Sequence, residues 1–593
     1  MALPARNSEK FGALYSGNIN RFKLQSQSLI VVLWLFIQLG PIFRFNPLSG
    51  NMIRNYFWGD QLVYLSISAS GSAGLLRDVE PFTETGRSIY PSGFYAIVGW
   101  FSRLFHLPPA SALNFIFVLV SVVLVILISQ SLRKLFDFET AAFAVLVPLL
   151  LGTINTMTTG NWSFKLSSHA VIWPMAAGLY TANAESLNLL LVTLLVIFLV
   201  SARLHPSTDH FNTQLMWSAV FLGLLANSHT YGLILGMTIT VLLLLDQAMS
   251  TSNRRFVIQS IPRIIQVGAL YIAVLFLLAI LDVAPMPRLL ILWLVGFGLI
   301  GILTNTRHEK KQLLSFIFIA AIVAAPQILK TGAALVTHDA FLRSRQQVSA
   351  TLSVPTLDLL FRNLPLSVLV LGACFVARRN GSLIHLRINL LLYFVWLSLS
   401  LNQMWGLSQE PYRFAINAQI PLAIFAAATI ITGWQKAFNT QNLKFLLCFG
   451  LVLCIIPSSL EIHNFYTHRI SRGVIQLDSD VNQEMLTVVS KAPAGLLLPD
   501  PCIEPAILKV ISRKKLAVYS KGLAWPDNVA LITQIVDARV NNVLDLVSAK
   551  QLEIAALLVD RECPAQWATL YSTHLKPILV DPTMRFQLYE LLS

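Results

Sequence analysis

The chain runs 593 residues, of which 55% are hydrophobic and only 12% charged, with a formal net charge of +14. A soluble domain carries about 25% charged residues, so an ordinary globular enzyme is excluded, and no segment is polar enough to read as disordered. A polytopic membrane protein remains, and its excess of Lys and Arg is accounted for by basic anchors at helix ends, so no nucleic-acid partner is expected.

The first apolar stretch, Ser28 to about Phe45, follows Arg6, Lys10, Arg21 and Lys23 and lacks a small-residue cleavage site. It reads as a retained first helix and not as a signal peptide. Apolar windows of about 17 to 22 residues then recur at 28–46, 110–132, 139–157, 184–203, 214–230, 231–246, 264–283, 287–304, 312–328, 356–377, 386–402, 412–433 and 442–460. About thirteen transmembrane helices are expected on this pattern. Every second loop is basic: Arg133 and Lys134; Arg203; Arg254, Arg255 and Arg263; Arg307, Lys310 and Lys311; Arg378, Arg379 and Arg387; Lys436 and Lys444. That alternation places the N-terminus in the cytoplasm and the C-terminal tail outside. Two shorter stretches, Tyr90 to Phe105 and His169 to Tyr180, contain Pro91 and Pro174, and counting either as a crossing inverts the alternation. Both are read as helices in the outer interface.

Polar residues collect on the outer face. The first outer loop, 47–109, holds Arg54, Trp58, Gly59, Asp60, Arg77, Asp78, Glu80, Glu84 and Arg87. A long outer loop, 329–355, holds Lys330, His338, Asp339, Arg343 and Arg345, and a shorter one reads QMWGLSQEP before Tyr412 and Arg413. Asn227, His229 and Tyr231 fall at the outer turn between two spans. Ionisable groups at a membrane edge are functional candidates. Carboxylates beside arginines suit transfer of a sugar from a lipid phosphate to a hydroxyl: a carboxylate takes the acceptor proton, and Arg or Lys stabilises the departing phosphate. No GxxxxGK[ST], helix-opening GxGxxG or HExxH occurs, which weakens ATP-driven transport and zinc peptidase readings.

The order FWGDQLVYLS with Asp60, then SIYPSGFYAIVGWFSRLF, then a helix ending SLRKLF resembles the amino-terminal module of the GT-C superfamily. That superfamily includes lipid-linked sugar transferases related to protein O-mannosyltransferases and to the bacterial aminoarabinose transferase of lipid A. The resemblance implies a catalytic or acceptor-positioning role for Asp60, with Tyr90 and Pro91 opening the next helix. EPYRF, Glu410 to Phe414, resembles a helix-start motif whose arginine faces the lipid phosphate, which implies that role for Arg413. The segment GLLLPDPCIEPAILKVISRKKLAVYS resembles the small outer α/β domain of many members. Gln61 follows Asp60 where some members have a second acid, and Ser92 follows Pro91 where others have proline; no metal and no other cofactor is expected.

Each residue also has a plain structural role open to it. Asp60 can cap a helix at Gln61, Arg413 can snorkel to headgroups, and His229 can be a satisfied helix-end histidine. Asp78, Glu80 and Glu84 read as solvated loop charges. His338, Arg343 and Arg345 can solvate a loop or grip substrate. Cys374, Cys448 and Cys454 fall in spans, whereas Cys502 and Cys563 share the tail, where a disulfide is permitted. In the tail, GLLLPD, KLAVYS, ALLVDR and PILVD read as strands, with 504–512, 528–537 and 565–571 as helices.

The expected fold class is therefore an all-α polytopic membrane protein, residues 1–462, with a small extracytoplasmic α/β domain, 463–593. The expected activity is a glycosyltransferase of a prokaryotic plasma membrane. Asp60 is the general base, Arg413 and Lys330 hold the donor phosphate, and Tyr90, His229, His338, Arg343, Glu410 and Tyr412 contact substrate. Its partners are a polyprenyl-phosphate sugar donor, an envelope glycan, lipid or protein acceptor, and membrane lipids. A transporter or lipid flippase is the rival; it calls for polar groups near the bilayer midplane and often internal repeats, and neither is evident.

Overall fold

The computed structural model describes residues 28, 31–36, 38–40, 42–43, 47–54, 60–70, 78–150, 182–204, 209–251, 285–304, 306–337, 339–341, 344, 360, 363–405, 410–435, 474–520 and 522–592. The expected spans 264–283 and 442–460, the stretch His169 to Tyr180, and His338, Arg343 and Arg345 lie outside the described residues.

The chain is mostly helical. In order come α1 (Asp60–Ala69), α2 (Gly93–Leu104), α3 (Pro109–Leu135), α4 (Phe138–Leu150), α5 (Ala184–Leu204) and α6 (Asp209–Ser228). After these follow α7 (Thr230–Thr251), α8 (Pro285–Leu303), α9 (Arg307–Val336), α10 (Leu364–Arg379), α11 (Leu383–Ser400) and α12 (Pro411–Gln435). Six of the described helices are long and apolar enough to cross a membrane, namely α3, α5, α7, α9, α11 and α12. Twenty-odd residues at 1.5 Å each match the roughly 30 Å hydrocarbon layer. The two central ones are α5 and α12, each 94% buried over its most apolar stretch. Helix α5 packs against α3, α6, α7 and α12, while α12 packs against α4, α10 and α11.

Contacts at the helix ends sort them onto two faces. On one, Arg203 at the end of α5 binds Asp246 near the end of α7 at 3.1 Å, and Arg387 at the start of α11 approaches the same carboxylate at 3.7 Å. The other carries the first loop and the tail domain. Helix α9 runs on to Val336, so residues 329–336 of the expected long outer loop are helical. Lys330 looked like the end of a span, but its ammonium is buried against Asp78, and the following Ala333, Ala334 and Leu335 favour helix.

Helix α2, with 12 residues, is about 18 Å long, too short to cross a bilayer. It buries Phe94, Tyr95, Val98 and Ser102 and exposes Ile97, Trp100 and Leu104, the two-faced pattern of a helix lying in an interface.

The tail begins with β2 (Val474–Gln476), which pairs antiparallel with β1 (Met52–Arg54) of the first loop. A five-stranded sheet follows, made of β3 (Leu496–Pro499), β4 (Lys515–Leu516), β5 (Ile554–Asp560), β6 (Leu575–Leu579) and β7 (Phe586–Leu591), in the order β4-β3-β5-β7-β6. Strands β4, β3 and β5 run parallel, and β7 and β6 are antiparallel additions. Because side chains alternate across a strand, the sheet serves two cores. Leu497, Ala556 and Leu558 join the core continuous with the membrane helices, while Leu498, Leu557 and Val559 build a separate one with Ile532, Ile535 and Trp567. Cys502 and Cys563 form a disulfide with Cα atoms 5.6 Å apart, joining the loops that follow β3 and β5. An Asp500 oxygen lies within 4.8 Å of both sulfurs, which are committed to each other.

The first-loop acids are not solvated, contrary to the sequence reading. Glu80 is fully buried and accepts bonds from the Phe82 and Thr83 amides at 3.0 and 2.7 Å, the Thr83 hydroxyl at 2.9 Å and the tail's Ser520 amide at 3.0 Å. Glu84 pairs with the buried Lys509 at 2.9 Å. The loop's own Phe82 and Thr83 hold one Glu80 oxygen, and the tail adds Ser520 for the other and Lys509 for Glu84, partners that a loop read by itself lacks.

Candidate active site on the tail-bearing face

Helix α12 opens with Pro411, a favoured first helical residue because its missing N–H would be unpaired there. Glu410, just before it, is fully buried, and Arg413, one turn on, binds it through Nε. Arg413 also reaches Glu185, the second residue of α5, through a terminal nitrogen at 3.5 Å, and lies 5.4 Å from the centroid of the Tyr231 ring. Tyr231 in turn sits 5.6 Å from His229 and meets Phe414 edge-on at 5.2 Å. The starts of α5, α7 and α12 thus gather, among the described side chains, the Arg413 guanidinium, the Glu185 and Glu410 carboxylates, the His229 imidazole and the Tyr231 phenol. Helix N-termini carry partial positive charge, which favours anions in the same place.

One turn deeper, the Asn188 carboxamide donates to that of Asn417, and Asn417 donates to the Arg413 carbonyl at 2.7 Å. Both asparagines are fully buried. Gly232 of α7 faces Asn188 so closely that any Cβ there would overlap the carboxamide. Glycine is what lets α7 approach α5 at this level.

A second wall comes from the first loop. Asp60 is the first residue of α1, so the helix starts at Asp60 and not at Gln61. Tyr64 follows one turn on, and in a helix residues four apart share a face. Tyr64 stacks on Tyr90 at 5.6 Å and on Tyr95 at 5.5 Å. Gln61 donates to the Ala182 carbonyl at 2.7 Å, and the Tyr95 hydroxyl accepts from the Ala184 amide at 3.3 Å. Both bonds tie the start of α1 and the tyrosine wall to the start of α5, beside Glu185. Burial raises the Tyr90 phenol well above its ordinary value, with Tyr64 and Tyr95 adding to the shift and Arg413 pulling the other way.

Lys330 has a different place. Its ammonium donates to Asp78 at 2.9 Å, to the Tyr90 carbonyl at 3.2 Å and to the Ser92 hydroxyl at 3.1 Å. Gln327, one turn earlier, donates to the Ile89 carbonyl at 2.7 Å. With three donors engaged, the ammonium holds the turn that carries Tyr90. From the other side the Ser88 hydroxyl donates to Leu523 of the tail at 3.3 Å.

Of the residues singled out from the sequence, His229, Glu410 and Arg413 come together, Tyr90 stands in the tyrosine wall of the first loop, and Asp60 opens the adjoining helix. Tyr412 is the second residue of α12. Sequence reasoning missed Glu185 and Tyr64. Glu185 is an acid at the membrane edge, the signal that drew attention to the outer-loop carboxylates, and Tyr64 follows from adding one turn to Asp60.

No protein-family model matches the sequence, and no curated protein matches it. Among solved structures, the chain aligns with ArnT from Cupriavidus metallidurans in the apo state at 15% identity, over 95% of this chain and 97% of that one, with a TM-score of 0.35. It aligns with the same protein bound to undecaprenyl phosphate at 13% identity, over 94% and 97%, with a TM-score of 0.36. At these scores the similarity assigns neither fold nor activity. Fold and site define a multi-pass membrane protein whose tail-bearing face gathers acids, an arginine and tyrosines at converging helix starts.

Proposed function

We propose that the protein is a membrane glycosyltransferase of the GT-C type, moving a sugar from a polyprenyl-phosphate donor to a cell-envelope acceptor on the tail-bearing face. The observation that carries this reading is the meeting of Arg413, Glu185 and Glu410 at the start of α5, to which the helix that Asp60 opens is tied through Gln61. In the step, the acceptor hydroxyl attacks the anomeric carbon while the bond from that carbon to the phosphate oxygen breaks. The hydroxyl proton passes to Asp60, and polyprenyl phosphate leaves with its charge held by Arg413. Arg413 is already shared between two carboxylates, so an arriving phosphate displaces one. Glu185 is the one released, because its contact is long at 3.5 Å and its side chain is 20% exposed, whereas Glu410 is 0% exposed. Lys330 supports the site by positioning Tyr90, with direct phosphate contact open to it only if Asp78 lets go.

On this reading the basic face is cytoplasmic, the membrane region spans 1–462, and 463–593 form an extracytoplasmic domain in a prokaryotic plasma membrane. The acids, arginine and tyrosines of the site gather at the tail-bearing end of the helices, and among the described residues no charge pair lies at the midplane, which favours transfer over the transporter alternative. The test is Asp60→Asn, which keeps shape and helix-capping capacity but not basicity. Turnover of a radiolabelled polyprenyl-phosphate sugar should fall roughly a hundredfold or more with donor binding retained. Full turnover in the Asn variant would remove Asp60 from the reaction.

A further inference from the structure

Away from that site, the joint between α2 and the tail holds two arginines that no carboxylate neutralises among the described residues. Arg103, at the end of α2, donates to the Ser70 carbonyl. Arg513, just past α13 (Pro505–Ser512), donates to the Ser102 hydroxyl and to the Leu107 carbonyl, both at 2.9 Å. Every one of these partners is neutral, and Ser102 and Leu107, which hold Arg513, flank Arg103 at the end of α2. Burial first and then Arg103 lower the Arg513 pKa, as two like charges in one place require.

The surroundings are apolar and open. Leu104 and Phe105 are 73% and 56% exposed beside the arginines. Phe101 stacks on Phe115 at 5.4 Å, setting α2 over the first turns of α3. From there Phe115, Leu119 and Val123, spaced four apart on one face of a membrane-spanning helix, are exposed in a row. Charge therefore sits at the top of an apolar stripe that descends into the bilayer.

We propose that Arg103 and Arg513 seat the phosphate of an anionic phospholipid whose acyl chain runs along Phe115, Leu119 and Val123. Two guanidiniums that no carboxylate pairs with among the described residues fit a phosphate, and the stripe supplies the contact that a free anion would not use. The seat is independent of glycosyl transfer, since it shares no residue with the Arg413 site.

The experiment is native mass spectrometry of the full chain released from bicelles of mixed dioleoyl-phosphatidylglycerol and dioleoyl-phosphatidylcholine. The wild-type protein should retain the anionic lipid preferentially, and the Arg103→Gln/Arg513→Gln pair should lose that preference by roughly thirtyfold. An Arg103→Lys/Arg513→Lys pair keeps both charges and should hold the lipid within a few-fold of wild type. Retention by the Gln pair equal to wild type overturns the seat, and so does loss by a folded Lys pair, which marks the arginines as structural struts. Displacement of the lipid by millimolar inorganic phosphate would show a site for the free anion and equally overturn it.

Discussion

Glu84 and Lys509 tie the first loop to the tail, and the effect of parting them follows from their burial. Lys509 is 0% exposed and Glu84 7% exposed, with 2.9 Å between them, and among the described residues the ammonium's other bond is to the Lys514 carbonyl at 3.0 Å. Glu84→Gln leaves a buried ammonium without its counter-charge, a change that costs about 3 kcal/mol when one partner of a buried pair is removed. Burial already lowers the Lys509 pKa, with Glu84 the main opposing influence, so part of that cost is relieved by loss of the proton. Adding Lys509→Met removes the stranded charge, and the double variant should return to within about 1 kcal/mol of wild type. The local readout is amide hydrogen exchange at Leu516 and Ser520, whose N–H groups bond across the joint to Phe82 and Glu80. At about 1.4 kcal/mol per decade, exchange there should quicken roughly a hundredfold in Glu84→Gln and recover in the double variant. Unchanged protection in the single variant, or additive loss in the double, would refute a buried and coupled pair.

Gly232→Ala drives a methyl group into the Asn188 carboxamide and should cost about 1 to 3 kcal/mol as overpacking, read as a lower unfolding temperature in detergent. Glu80 is pushed up from 4.5 to about 7, by burial against the opposing Thr83, Ser520 and Phe82 bonds. The folded state therefore keeps a proton that the unfolded chain has lost between about 4.5 and about 7, and the stability of the joint falls by about 3 kcal/mol as pH rises through that window. Glu80→Gln should flatten the slope in unfolding measured from pH 4 to 8, and an equal slope in the variant would contradict it. Asp500, raised to about 6 chiefly by burial, acts in the same direction. Replacing Cys502 and Cys563 by Ser opens a disulfide spanning 61 residues and should cost the tail about 2 to 5 kcal/mol, seen as faster proteolysis between the two positions.

Most of the described spans were legible because an apolar run of membrane length has few other uses, and basic residues punctuate alternate loops. The exception at Lys330 shows the limit of that rule. A lysine marks a span's end only if its charge is in water, and Asp78, 252 residues away, removes that need. The tail's apolar strands were readable, but β7, FQLYEL, alternates polar and apolar residues and gives no continuous run. In the site, Arg413 and Glu410 could be found as charges at a helix start, whereas the buried state of Glu80 and Glu84 depends on partners more than 400 residues away. Long-range pairing of that kind has no local signal in composition or periodicity.

The most direct measurement of the central claim is binding of a polyprenyl phosphate to the purified protein in nanodiscs, compared between wild type, Arg413→Ala and Arg413→Lys. A phosphate seated on Arg413 predicts tight binding by wild type, a loss of roughly tenfold to a hundredfold in the Ala variant, and partial recovery in the Lys variant, which restores the charge without the guanidinium fork. Equal affinity in all three would show that the arginine shared by Glu185 and Glu410 serves the fold alone, and the transfer site would have to be sought elsewhere.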